Sequence, residues 1–156
     1  MSSIVYCSYL KTELGNLLIT ANEWDLLGVH FVDEEEYEEN ENYITIHAKK
    51  EITEYLNGTS KTFTFYNFEL SGFQEQVLEI VLEIPYGETK TYRQIAKELG
   101  NEKCILPVAN ALKENPCLII IPCHRVIGSD GALHSYQADL SIKKHLLELE
   151  KEHTKE

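Results

Sequence analysis

Apolar side chains recur at every second position through residues 4–9, 17–20 and 27–32, the period of a strand that buries one face. Leu14-Gly15-Asn16 supplies a turn between the first two. These runs predict an antiparallel meander. Residues 44–56 change to helical spacing at Ile52, Tyr55 and Leu56 and stop at Asn57-Gly58, and residues 62–66 return to a strand pattern. Beyond Leu70 the period is helical. Phe73, Val77, Ile80, Val81 and Ile84 share one face until Pro85-Tyr86-Gly87 ends the helix, and Ser71 with Gln74 has the spacing of a capping box. Thr91 with Gln94 repeats that spacing ahead of a helix over 92–99. Gly100-Asn101 then turns the chain into a second short helix over 106–114, which Asn115-Pro116 closes. Pro107 has no N–H to offer and belongs in a first turn, which sets that helix's start near Leu106. Such a pair suits a helix-turn-helix. A leucine-rich helix over 143–150 follows.

The fold class expected is therefore α+β. Residues 1–70 form a small antiparallel sheet with a helix, a scaffold without visible chemistry. Residues 71–156 form a mostly helical domain containing the helix-turn-helix and an active-site loop. A chain of 156 residues is long enough for one good core or two small packed ones. No apolar run approaches the about 20 residues of a membrane span, and Met1-Ser2-Ser3-Ile4 lacks the basic start of a secretory leader, so a cytoplasmic location is expected, or a nuclear one in a eukaryote. Four cysteines without a C-x-x-C or a zinc-like spacing to histidine predict reduced thiols and no metal.

Charge alters the picture only in part. The formal net charge of −12 opposes contact with nucleic acid, whose phosphates attract cations. Residues 1–70 hold 13 acidic and 4 basic side chains, against 11 and 8 in residues 71–150. The densest acidic run, residues 33–41, reads as a solvated loop.

The strongest chemical signal is Ile121-Pro122-Cys123-His124-Arg125-Val126. A thiolate reacts where a thiol does not, and a neighbouring imidazole or guanidinium lowers a thiol's pKa, so Cys123 has the setting of a nucleophile. Around it stand Asn115-Pro116, Gly128-Ser129-Asp130-Gly131-Ala132-Leu133, Tyr136 and Glu150, with Ile84-Pro85-Tyr86-Gly87 and Thr91-Tyr92 upstream. This constellation resembles the O6-alkylguanine-DNA alkyltransferases, strongly from Phe73 to Glu150 and loosely before that.

The resemblance implies single-turnover repair of double-stranded DNA by a monomer, with an alkyl group moving from O6-alkylguanine to Cys123 and no cofactor or metal. It implies that His124 takes the thiol proton through a water, that Glu150 compensates the imidazolium, that Tyr92 donates to the departing base, and that Asn115 ties the second helix to the nucleophile loop. Arg125 would brace that loop. Leu112, Val126 and Tyr136 would wall a pocket for a flipped nucleotide, Gln137 would offer donors to guanine, and Arg93, Leu106, Asn110 and Lys113 would meet DNA. The chain departs from the family where Leu106 replaces an arginine and Asn110 a glycine, and where His134, Gln137, Ala138 and Asp139 stand in place of small residues. An apolar wedge at Leu106 still unstacks bases. A narrowed pocket favours methyl over bulky adducts. Two competing readings are a module that binds damage without repairing it and a thiol protein that has lost DNA binding.

Overall fold

The computed structural model describes residues 4–154, so Met1-Ser2-Ser3 of the leader argument lies outside the described residues. The chain divides into two compact units. One runs to Glu69 and takes in Pro116–Ile120; the other comprises Leu70–Asn115 and the chain from Ile121 onward.

In the first unit, β1 (Tyr6–Thr12), β2 (Gly15–Ala21) and β3 (Leu26–Val32) form an antiparallel sheet in the order β1-β2-β3. The alternation has its expected meaning in β2, where Leu17, Ile19 and Ala21 are buried. Helix α1 (Tyr43–Leu56) packs on β1 and β2 through Ile44, Ala48, Ile52 and Tyr55. Asn42 and Thr45 form a reciprocal capping box at its start, satisfying donors that a helix leaves unpaired.

The strand expected over 62–66 is absent. That segment is tied by side chains to α1: the Thr64 N–H and hydroxyl donate to the Glu51 carboxylate at 3.1 and 3.0 Å, and the Tyr66 hydroxyl donates to the same group. Phe63 stacks against Tyr55, with ring centroids 5.4 Å apart. Its aromatic alternation is thus satisfied against a helix rather than in a ladder. The apolar run before the cysteine meets β3 through a single isolated bridge. Val29 N–H donates to the Pro116 carbonyl at 2.8 Å and Leu118 N–H to the Val29 carbonyl at 3.0 Å, after which buried Ile119 takes a left-handed φ of 73°. A β-branched residue adopts that backbone only where its surroundings hold it.

The second unit has α2 (Gly72–Leu82), α3 (Tyr92–Glu98), α4 (Ile105–Lys113) and α5 (Leu140–His153), with a short parallel pairing of β4 (Lys90–Thr91) and β5 (Val126–Ile127). Val77, Leu78, Val81 and Ile84 are the buried face at α2, while Phe73 is exposed. Ser71 is the N-cap of α2 but makes no side-chain cap, and the Gln74 amide donates to the Glu114 carbonyl at 2.9 Å. Thr91 and Gln94 do form their box, and α3 and α4 pack as the expected helix pair with Pro107 in the first turn of α4. No helix among the described residues is long and apolar enough to cross a membrane.

Candidate active site

Pro122 leads into a single 3-10 turn, Cys123–Arg125, which places three consecutive functional side chains inside the second unit. The turn closes through Arg125 N–H to the Pro122 carbonyl at 2.9 Å. Asn115, fully buried after α4, donates its side-chain amide to the Ile121 carbonyl at 2.9 Å and to Cys123 Sγ at 3.1 Å. Asn115 therefore fixes both the loop and the sulfur.

The imidazole of His124 faces α5, where its Nε2 lies 2.7 Å from Glu150 Oε2. An ionised carboxylate only accepts, so Nε2 carries the proton and Nδ1 is the basic nitrogen. Glu150 is the hub of this region. Arg125 Nε donates to Oε1 at 2.9 Å, Arg125 Nη2 to Oε2 at 3.0 Å, and the Gly87 N–H to Oε1 at 2.9 Å. Arg125 Nη1 donates to the Ile84 carbonyl at 2.6 Å. Burial pushes the Glu150 carboxyl up, but its bonds to His124 and Arg125 outweigh this and bring its pKa to about 2. Burial lowers the pKa of His124, and Glu150 opposes that shift. Gly87 is required by geometry: it has a φ of 83°, and a Cβ there would lie 2.1 Å from Thr154 Cγ2.

The thiol differs from the sequence expectation. Burial pushes Cys123 up to about 11, with Asn115 and Lys143 pulling it down. The guanidinium of Arg125 is committed to Glu150, and the cation that acts on the thiol is Lys143. This lysine is only 1% exposed; its Nζ donates to the Ser135 carbonyl at 2.9 Å and lies 3.5 Å from the Tyr92 hydroxyl and 5.7 Å from the centre of that ring. Burial lowers its pKa to about 8, against a raising effect of Cys123.

Cys123 opens on a pocket whose other lining residues are Tyr92, Leu112, Lys113, Ser135 and Tyr136. The hydroxyls of Tyr92 and Ser135 are 3.3 Å apart. The Tyr136 hydroxyl is buried without a hydrogen-bond partner among the described residues, and its pKa is raised by burial and by Cys123. Sulfur, two hydroxyl donors and an unsatisfied phenol thus surround one space, suited to displacement at a carbon whose leaving group collects a proton.

The structure brings Cys123, His124, Glu150, Asn115, Tyr92, Leu112 and Tyr136 together as a site. Lys113, expected at DNA, lines the pocket. Val126 is buried in β5 and does not line it, because its pairing with Lys90 fixes it in the two-stranded sheet. The side-chain amide of Gln137, expected to face guanine, instead donates to the Lys113 and Asn115 carbonyls. Arg93, Leu106 and Asn110 are exposed on α3 and α4, Leu106 by 70%. Sequence reasoning missed Lys143, Ser135 and Gly87. Lys143 stands seven residues before Glu150 on the stripe formed with Ile142 and Leu146, and that spacing was its available signal.

Known proteins match this chain along its length. Residues 5–70 match the ribonuclease-like domain of 6-O-methylguanine DNA methyltransferase, and residues 72–152 match its DNA binding domain. A methylated-DNA--protein-cysteine methyltransferase of Methanosarcina acetivorans is 37% identical over 154 residues, covering 94% of this chain and 98% of its own. The inducible enzyme of that name from Bacillus subtilis is 43% identical over 102 residues, covering 65% of this chain and 57% of its own. Among solved structures, the Mycobacterium tuberculosis OGT in complex with DNA superposes with a TM-score of 0.84 at 30% identity, covering 93% of this chain and 92% of that one. With both halves matched, and the thiol, imidazole and carboxylate joined in one site, the chain belongs to the 6-O-methylguanine DNA methyltransferase family.

Proposed function

We propose that this protein repairs DNA by direct reversal, moving a methyl or other small alkyl group from O6-alkylguanine irreversibly onto Cys123. The observation that carries the reading is the placement of Cys123 Sγ at the pocket, 3.1 Å from the Asn115 amide, beside the His124–Glu150 pair. The sulfur attacks the alkyl carbon; an S–C bond forms as the C–O bond to guanine breaks. The thiol proton passes toward His124 Nδ1, whose basicity Glu150 raises; guanine gains a proton from Tyr92, and the His124 imidazolium releases its proton to water as water restores the tyrosine hydroxyl. Proton count is conserved, and the thioether has no route to hydrolysis, so each molecule acts once. Lys143 holds Ser135 and Tyr92 in place and favours the thiolate.

A guanine inside a duplex cannot reach this sulfur, and the reading requires that it be flipped out. The α3–α4 pair is the DNA-facing element, with Leu106 as an apolar wedge at the start of α4 and Arg93, Asn110 and Lys113 as flanking contacts. Residues 1–70 are scaffold and residues 71–156 carry transfer and DNA binding. The protein works as a monomer in the cytoplasm, or the nucleus of a eukaryote; four unlinked cysteines fit a reducing compartment.

Mass spectrometry after incubation with an O6-methylguanine duplex tests this. One methyl group on the Cys123 peptide is expected, and none on C123A. Protein that binds the lesion but stays unmodified indicates damage recognition alone, and absence of binding indicates a thiol protein without a DNA role; either result sinks the proposal.

A further inference from the structure

We infer that Gln137 is a clasp that holds the width of the base pocket and so disfavours bulky O6-alkyl groups relative to small ones. This rests on the alkyl-transfer reading above. The pocket has two walls from distant parts of the sequence: Leu112 and Lys113 at the end of α4, and Ser135 and Tyr136 on the loop that leads to α5. Helix α4 is packed against both α2 and α3 and is the fixed wall. The loop is the wall that a larger adduct must push aside.

That loop is tied in two directions. Toward α5, the Ser135 carbonyl accepts from Lys143 at 2.9 Å. Toward α4, Gln137 Nε2 donates to the Lys113 carbonyl at 2.7 Å and the Asn115 carbonyl at 2.8 Å, which uses both amide hydrogens. The Lys113 carbonyl is the last of α4 and has no place in the helix's own bonding pattern, so an outside donor satisfies it. Gln137 directly follows Tyr136, and movement of this wall away from α4 breaks both bonds. The amide lies at the exposed rim, so water replaces the broken bonds at modest cost. The clasp therefore discriminates by a modest factor and does not seal the site.

Q137A removes the amide, and Q137E keeps its shape while replacing the donor with an acceptor facing two carbonyls. Alkyl transfer to Cys123 is measured for each with duplexes that carry O6-methylguanine or O6-benzylguanine in the same sequence, so that changes in DNA affinity cancel in the ratio. The ratio of benzyl to methyl rate is expected to rise about fivefold in both variants, with methyl transfer itself falling about twofold as the wall loosens. An unchanged ratio, or both rates falling by one common factor, overturns the clasp. Amide hydrogen exchange over residues 133–138 is a second readout independent of activity: faster exchange in both variants is expected, and equal exchange overturns the clasp. Absence of methyl transfer by the unaltered protein counts against the repair reading alone, since exchange still tests the clasp.

Discussion

Cys123 rests as a thiol at neutral pH, because its burial outweighs the two groups that favour the anion. Reactivity then depends on what lowers that barrier. K143M removes a buried cation that is charged at neutral pH and bound to Ser135 of the pocket wall, and alkylation of Cys123 by iodoacetamide should slow about tenfold at about pH 7, an effect that fades as pH rises past about 8, where Lys143 itself loses its proton. K143R, which keeps the charge, should restore most of the rate; equal profiles for the unaltered protein and K143M would deny Lys143 its electrostatic role. Glu150 works differently, as a counter-charge to Arg125 and an orienting partner for His124. E150Q leaves a buried guanidinium without its anion and should cost about 3–5 kcal/mol, read as a lower denaturation midpoint.

The loop after α2 and the end of α5 are coupled through Gly87, whose N–H feeds the Glu150 carboxylate and whose missing Cβ makes room for Thr154. G87A should destabilise the protein by about 1–3 kcal/mol in thermal unfolding, through both the left-handed backbone and the clash. Adding T154A removes the methyl contact but not the backbone strain, so only part of the loss should return. For α4, L106R adds one cation at the proposed DNA-facing tip. The slope of log affinity against log salt should steepen by about 0.9, and an unchanged slope would place Leu106 away from phosphate. The two capping signatures show where local reading succeeds. Thr91 and Gln94 close their box on each other, whereas Ser71 makes no side-chain cap and the Gln74 amide donates to Glu114, forty residues along the chain.

At the scale of the molecule, acid is the condition that should undo the fold. The Glu150 pKa is about 2, below its unfolded value of about 4.3, so its stabilisation is complete above that value and is lost as pH falls from about 4 toward 2. His124 acts in the same direction from a higher pH: its folded pKa lies below the unfolded value of about 6.5, so the unfolded chain takes up a proton first. Denaturation midpoints measured from pH 7 downward should therefore fall, gently at first and steeply below about pH 4; a flat profile would contradict a charged, buried Glu150. Much of this protein was written in its sequence. Strand alternation, the Thr91–Gln94 box and the α3–α4 helix pair all depend on neighbours a few residues apart, whose interactions survive in any fold that contains them. Tertiary structure alone decided which way the charges face. It turned Arg125 from the sulfur to Glu150, brought Lys143 beside Tyr92 across 51 residues, and attached residues 116–120 to β3. Those partners are set by how distant segments pack, and in a low-dielectric interior the burial of a charge, more than its place in the chain, governs what it does.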